Sequence, residues 1–536
     1  MKRALLVIVM FLCANVLLAQ TRFTIDDLIY EVTGVGEVEV HDFIGEYDFD
    51  DDIVINIPQK VTNEETEYNV TAIGDSAFYS HSNIDEVILP NGIISIGNYG
   101  FYWCNMMAPI ILPNSVKTIG DNAFQNCFSF GDFLIPENVT SIGNSAFSGC
   151  NNLQTIYFNA TNCEFNVEYL VFPENVQVVN IGENVQSIPN YFVQGCDITN
   201  VTIPNSVKEI GAQAFYGCSE LTNVTIGIGV TSIRDAAFLD CNDLNILNFN
   251  ATDCKFELEN YLIFPDGIRK VNIGNNVKTI PDYFVQGCWD INSITLPESV
   301  TSIGMQAFYG CTSLTSITIP ENVTSINNSA FAGCEALTTL NYNATDCKFN
   351  IDKLVFPENL EVVNIGENVK SIPDYFVQGC NISSITLNEN VTTIGTQAFY
   401  NCSKLSNVIS LAETPPTLKN KAFGNANKSL LVPCGSLNTY LASNWVNYFD
   451  ENQIEEDCDN IDDTEIINFS FYPNPTNGNI FFNEVIENVE IMDLTGRTIC
   501  RFNNVSEVNI DNLTTGIYYL RMEFNESIIT EKIIKK

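Results

Sequence analysis

Leu314-Thr315-Ser316-Ile317-Thr318-Ile319-Pro320, followed by Val323, Ile326, Ala330-Phe331 and Gly333-Cys334, is the stretch that decides the fold. Apolar side chains alternate at Leu314, Ile317 and Ile319, while Ser316 and Thr318 point the other way, as in a strand with one buried face. Pro320 ends that strand because it has no N–H to donate. Val323 and Ile326 supply a second inward pair. Ala330-Phe331 sits in a short turn, its phenylalanine facing the core, and Gly333 permits a tight return. One such unit cannot bury its own apolar face, so copies must stack.

The copies are present. The residue two before the proline position falls at Ile88, Ile111, Leu134, Tyr157, Asn180, Thr202, Thr225, Asn248, Asn272, Thr295, Thr318, Asn341, Asn364 and Thr386, in steps of 22 to 24 residues. Ile409 and Leu431 continue the series in degraded form. A longer period lies on top. Segments 157–196, 249–288 and 342–380 are near copies ending in Tyr-Phe-Val-Gln-Gly-Cys, and Phe192, Phe284 and Phe376 are 92 residues apart. Four rungs therefore make a higher unit. Roughly fifteen rungs at about 4.8 Å each give a rod on the order of 70 Å long. The fold class is mainly β: a parallel leucine-rich-repeat solenoid followed by a small C-terminal β-sandwich.

Composition narrows the function. Against 65 acidic residues the chain carries 24 basic ones, a net charge of −41, which repels phosphate backbones and argues against nucleic-acid binding. Lys2-Arg3 followed by an apolar run from Ala4 to Ala19 reads as a signal peptide cleaved after Ala19. No later stretch is long and apolar enough for a transmembrane helix. The acid runs Asp50-Asp51-Asp52 and Glu455-Glu456-Asp457 lack the spacing and glycine of a calcium loop. No cofactor or metal is expected.

Along the chain, residues 1–19 are the signal segment, 20–70 an N-terminal cap over the first open edge, 71–410 the repeats and 411–458 a closing cap. Residues 459–468 are an acidic linker. From 469 to 536 the style changes to alternating strands with Asn-Gly and Thr-Gly turns, the pattern of a β-sandwich.

The repeat word Leu-x-x-Ile-x-Ile-Pro-x-x-Val-x-x-Ile-Gly-x-x-Ala-Phe-x-Gly-Cys resembles the BspA-like leucine-rich repeats of bacterial surface proteins. The C-terminal segment resembles a type A sorting domain of the type IX secretion system. Its matching words are Tyr472-Pro473-Asn474-Pro475-Thr476-x-Gly478, Val489-Glu490-Ile491-x-Asp493-x-x-Gly496-Arg497, Leu513-x-x-Gly516-Ile517-Tyr518 and the closing Lys532-Ile533-Ile534-Lys535-Lys536. The second resemblance implies contact with the type IX machinery, export across an outer membrane, removal of this domain, and frequently attachment to surface lipopolysaccharide. The first implies a secreted, surface-displayed adhesin-like protein binding host or neighbouring-cell proteins or glycans. A structural matrix or envelope component and a carboxylate-dependent polysaccharide enzyme are the competing classes.

The residues say little for catalysis. His41 and His81 are the only histidines, so no Ser/His/Asp or Cys/His group forms in the body, and the outward strand positions are mostly Thr, Asn and Ser. Cys104, Cys127, Cys150, Cys196, Cys218, Cys241, Cys288, Cys311, Cys334, Cys380 and Cys402 share one repeat position. Stacking makes them a buried ladder of parallel thiols, poorly placed for disulfides and behaving as small apolar residues. Pairing of Cys163, Cys254 and Cys347 with Cys150, Cys241 and Cys334 stays open. Cys434 and Cys458 lie outside the ruler and are expected to pair. Cys500 has no evident partner. The candidate binding surface is the polar row Asn180, Thr202, Thr225, Asn248, Asn272, Thr295, Thr318, Asn341, Asn364 and Thr386; the alternative reading is structural, since threonine favours exposed strand positions and asparagine ladders stack well. The apolar strip Ile88, Ile111, Leu134 and Tyr157 in the same register is expected to be covered mainly by residues 20–70.

Overall fold

The computed structural model describes residues 22–45, 53–166, 170–350, 354–424, 428–458, 471–472, 476, 478–493, 497–524 and 527–535. The signal segment 1–19, the acid run Asp50–Asp52, the linker 459–468 and the sorting residues Pro473, Asn474, Pro475 and Gly496 lie outside the described residues. The chain divides into two compact units, Met1–Asp457 and Cys458–Lys536.

The first unit is a solenoid of about 16 stacked turns. Each turn, except those at Ile111 and Thr295, carries a strand before the proline position, and a second, shorter one lies around the following Ser-Ile. Both pair in parallel with their counterparts one ruler-length away: Ser316 opposes Thr339 and Thr318 opposes Asn341 in the first ladder, and Ser302 opposes Ser325 in the second. The strand Ser316–Ile319 has alternate exposed and buried residues. The turn segment is also bonded from rung to rung, as in Phe101 N–H to the Ala123 carbonyl at 2.7 Å and Trp103 N–H to Gln125 at 2.8 Å. The rungs approach so closely at the Ile-Gly step that a Cβ on Gly120 would lie 2.6 Å from the Asn98 nitrogen. The turn needs a left-handed residue, supplied in the quoted repeat by Gly333 at φ +74°.

The longer period appears in the core. Phenylalanines of successive rungs stack face to face from Phe78 through Phe101, Phe124 and Phe147 to Phe172, with centroids 5.0 to 5.4 Å apart. The stack breaks at Phe192, Phe284 and Phe376, which meet Phe215, Phe308 and Phe399 edge-on at 84° to 88°. In these rungs the Tyr-Phe-Val word moves the ring one position earlier, so it enters the core from a different Cα. At each of these rungs the first ladder is interrupted on the following side and the second on the preceding side.

The N-terminal boundary differs from the expectation. Ile53–Asn56 pairs in parallel with Ile84–Ile88, so the stacked turns begin near residue 53 rather than 71. A hairpin of Lys60–Asn63 and Thr66–Ile73, turning through Glu64 at φ 55°, lengthens this first step and hides it from the ruler. The cap proper is the antiparallel meander Arg22–Ile25, Leu28–Gly34 and Glu37–Phe43, whose last strand runs parallel to Thr66–Ile73.

At the other end, Ser429–Pro433 and Ile454–Asp457 add two further parallel strands. Fully buried Trp445 and Tyr440 sit over the last rung. Trp445 Nε1 donates to the Pro416 carbonyl at 2.9 Å and Tyr440 Oη to Ala412 at 2.8 Å. Trp445 and Phe449 close the phenylalanine stack against Phe423. Cys434 and Cys458 are both disulfide-bonded, with their sulfurs within 4.8 Å of each other.

The second unit is an antiparallel sheet built on Asn479–Met492, Thr498–Asn509, Gly516–Phe524 and Ser527–Lys535. It has its own core, including Ile480, Val489, Ile491, Leu520, Met522 and Ile533.

Two outcomes follow from this packing. Phe124→Ala removes the middle of a continuous stack and is expected to cost about 3–5 kcal/mol, seen as a lower urea midpoint; an unchanged midpoint would contradict a cooperative core. Cys434→Ser is expected to destabilise the closing cap by about 3–4 kcal/mol on the chain-entropy estimate for its loop. Protection of cap amides from hydrogen exchange measures this, and wild-type protection in the variant would count against it.

Candidate binding surfaces

The polar row lies outward, as the alternation requires. Thr202, Asn272, Thr295, Thr318, Asn364, Thr386 and Asn180 are exposed, while Thr225, Asn248 and Asn341 are partly covered. Thr295 stands out because its segment before the proline, although it keeps the alternation of buried Ile294 and Leu296, forms no strand. The row bonds to itself. Asn248 Nδ2 donates to Thr225 Oγ1 at 3.1 Å and Asn272 Nδ2 to Asn248 Oδ1 at 2.6 Å. Asn341 Nδ2 donates to Thr318 Oγ1 at 3.2 Å, and Asn364 Nδ2 to Asn341 Oδ1 at 2.8 Å. Much of the amide capacity that a ligand would use is therefore spent along the row, as in other stacked asparagine ladders.

The apolar strip corrects the expectation that the cap covers it. Ile111 is 85% exposed, and Ile88, Leu134 and Tyr157 are each more than 40% exposed. The cap meets the solenoid at its edge: Ile53–Asn56 extends the ladder beside Ile84–Ile88 instead of folding over its outer face. Ile111 protrudes most; its segment before the proline forms no strand, although Ile110 and Leu112 beside it are buried.

The thiol ladder is buried and free, and it does more than fill space. All eleven ladder sulfurs lie 3.0 to 3.5 Å from a backbone carbonyl oxygen of the preceding rung and donate to it. A weak S–H donor thus adds a bond between rungs at a turn carbonyl that, as at Phe101 and Phe124, already accepts a backbone N–H within its own rung. Cys163, Cys254 and Cys347 are also free and buried, so they do not pair with Cys150, Cys241 and Cys334. Burial pushes the thiols of Cys104, Cys150, Cys218 and Cys334 up to about 12, which suppresses the reactive thiolate.

The histidines belong to the cap. His41 Nδ1 lies 3.1 Å from Glu31 Oε2, which also pairs with Arg22 at 2.9 Å. His81 packs edge-on against Phe43, and burial lowers its pKa. Among the described residues no helix is long and apolar enough to cross a membrane.

In the C-terminal unit, Asp493 accepts from the Arg497 backbone N–H and Nε, both at 3.1 Å. The Gly478 N–H donates to Thr476 Oγ1 at 3.0 Å. Gly516 and Lys532 lie on the adjacent last two strands.

With the rung geometry in place, the family assignment follows. The profile of the BspA type leucine-rich repeat region matches residues 56–172, 169–291, 261–357 and 345–451. The chain belongs to the BspA-type leucine-rich repeat family. A secretion system C-terminal sorting domain matches residues 470–536. The protein is thus directed by the type IX route to the cell surface or the medium. Similar solved structures include a leucine-rich repeat protein from Bacteroides ovatus, 24% identical over 81% of this chain and 99% of that one, with TM-score 0.39. A leucine-rich cell surface protein from Faecalibacterium prausnitzii is 24% identical over 60% and 95%, with TM-score 0.34. The pneumococcal vaccine antigen PcpA is 15% identical over 81% and 98%, with TM-score 0.27. No curated protein matches the chain significantly.

Sequence reasoning found the register of the strip and the row, and its alternative reading of the row as a stacked ladder anticipates the bonds along it. It missed the thiol donors, since spacing alone does not reveal that the ladder sulfurs reach carbonyls of the preceding rung.

The thiols also set an alkaline limit. Their folded pKa values lie above the ordinary 9.0 because of burial. Above pH 9 the unfolded chain therefore holds fewer protons than the native one, and stability falls with rising pH. The urea midpoint is expected to be level below pH 8 and to drop between pH 9 and 11; a level midpoint throughout would contradict the buried ladder. At pH 8, Ellman's reagent on protein lacking residues 1–19 should label only half-buried Cys500 until the chain is unfolded.

Proposed function

We propose that this protein is an adhesin-like surface solenoid that binds extracellular proteins of a host or of neighbouring cells, and that it does so through its N-terminal rungs. The observation that carries this reading is the open strip Ile88, Ile111, Leu134 and Tyr157, with Ile111 85% exposed. Burial of such a strip contributes roughly 25 cal/mol per Å², whereas a net hydrogen bond contributes only about 1 kcal/mol. The polar row from Asn180 to Thr386 is the second candidate surface. Its internal hydrogen bonds favour a supporting role, or the stacking role of a structural envelope component.

His41 and His81, the only histidines, lie against the cap residues Glu31 and Phe43, which supports binding over catalysis in the body of the solenoid. The test is an array of immobilised extracellular-matrix proteins. Ile111→Asp with Leu134→Asp is expected to lose array binding at an unchanged thermal midpoint. Thr202, Thr225, Thr295 and Thr318 replaced together by Lys should retain most of it. Loss in the lysine variant alone would assign binding to the polar row. Ordered self-assembly without array binding would favour the structural reading.

A further inference from the structure

A separate surface lies on the turn side of the first rungs. Tyr79, Tyr99, Tyr102, Trp103 and Phe128 form a run of rings in mutual contact. Tyr79 and Tyr102 stack at 4.8 Å and 11°. Tyr99 meets Tyr102 at 5.5 Å and 67°, Trp103 meets Tyr102 at 5.9 Å and 51°, and Phe128 lies 6.3 Å beyond Trp103. Tyr79 and Trp103 are 48% and 43% exposed. Elsewhere the same repeat positions hold single tyrosines, such as Tyr309, without a ring neighbour among the described residues.

Two of these rings stand where the backbone resists them. Tyr99 and Trp103 have φ of 56° and 61°, a left-handed conformation that costs bulky side chains free energy. The repeat requires this conformation in its turns, and the matching positions on the next rung hold Asn122 and Asn126, residues that tolerate it. Tyr191, Tyr283 and Tyr375 adopt it on later rungs, so the conformation sets the direction of the rings and their clustering sets these rungs apart. Tyr99 and Trp103 keep 41% and 43% of their surface exposed, which leaves ring faces open to a ligand.

The chemistry selects the ligand. The rings carry no charge, and the neighbouring carboxylates of Asp75 and Asp121 accept the Asn98 and Asn144 backbone N–H groups at 2.6 and 2.7 Å. No lysine or arginine lies in the turn segments 75–82, 98–105 or 121–128, and the chain's charge of −41 repels anions. A neutral partner with apolar faces and a hydroxylated rim fits. We propose that this aromatic corner binds a neutral, extended polysaccharide. The axial C–H faces of a pyranose pack on the tilted rings, which offer rigid amphipathic area at low entropic cost, and its hydroxyls meet tyrosine Oη groups. Rungs repeat at about 4.8 Å, close to the advance of one sugar along such a chain. The following sugar therefore meets the amides of Asn122, Gln125 and Asn126.

The full chain is titrated with cellohexaose, laminarihexaose and mannohexaose, and with heparin as the anionic comparison, following tryptophan fluorescence and calorimetry. At least one neutral hexasaccharide is expected to bind, with a shift in tryptophan emission that is lost in Trp103→Phe and kept in Trp289→Phe, and heparin is not. Tyr102→Ala with Trp103→Ala should weaken binding at least tenfold, while Tyr309→Ala on a distant rung leaves it unchanged. The thermal midpoint of each variant reports that it is folded. Binding of none of the three, preference for heparin, or undiminished binding by the double variant would overturn the proposal. Array binding to matrix proteins, assigned to the apolar strip, is measured on the same variants, so the two readings fail separately.

Discussion

Every rung of this solenoid leaves backbone groups that only another rung can satisfy. A turn N–H such as that of Phe101 finds its acceptor on Ala123 of the following rung, and a ladder thiol such as Cys127 donates back to Phe101. An isolated rung would leave such N–H and S–H donors unpaired and its phenylalanine in water, both of which cost free energy. Stacking at a fixed register removes both penalties together, so the register constrains everything else. It forbids a side chain at Gly120, it demands left-handed residues in the turns, and it requires closure at each end. The N-terminal meander and the Trp445–Tyr440 cap are the two closures, and each works by continuing the ladder and covering the last ring of the stack.

The same constraint explains what the sequence made legible. Inward positions repeat because each must fit the rung above and below, so the ruler, the two strands per turn and the thiol column could be read directly from Leu314 to Cys334. The first rung could not, because the hairpin 60–73 lengthens its step and the ruler measures only equal steps. The fate of the apolar strip was also hidden. Whether residues 20–70 lie over a face or along an edge depends on the pairing of Ile53–Asn56 with Ile84–Ile88, and a strand's sequence does not state its partner. The aromatic corner needed side-chain directions, which follow from the turn conformation at Tyr99 and Trp103 rather than from spacing.

Function in such a fold resides in what the register leaves free. Inward residues are fixed by packing and vary little in kind from rung to rung. Outward residues are released, and here they differ by region: apolar on the sheet side of the early rungs, aromatic on their turn side, and amide and hydroxyl over the rest. Binding surfaces on a solenoid are set by such local departures from the repeat. The acidic surface keeps the whole soluble after export and biases it against anionic partners.

The central claim is that register, rather than the identity of any one rung, holds the protein together. Excision of residues 193–284 tests it most directly. The cut joins Phe192 to Val285, restores the Tyr-Phe-Val-Gln-Gly-Cys word, and removes one whole 92-residue unit. The shortened chain is expected to fold with unchanged circular dichroism per residue and a sharp thermal transition, whereas excision of 193–273, which ends part-way through a rung, is expected to lose that transition. Equal stability of the two deletions would contradict the account.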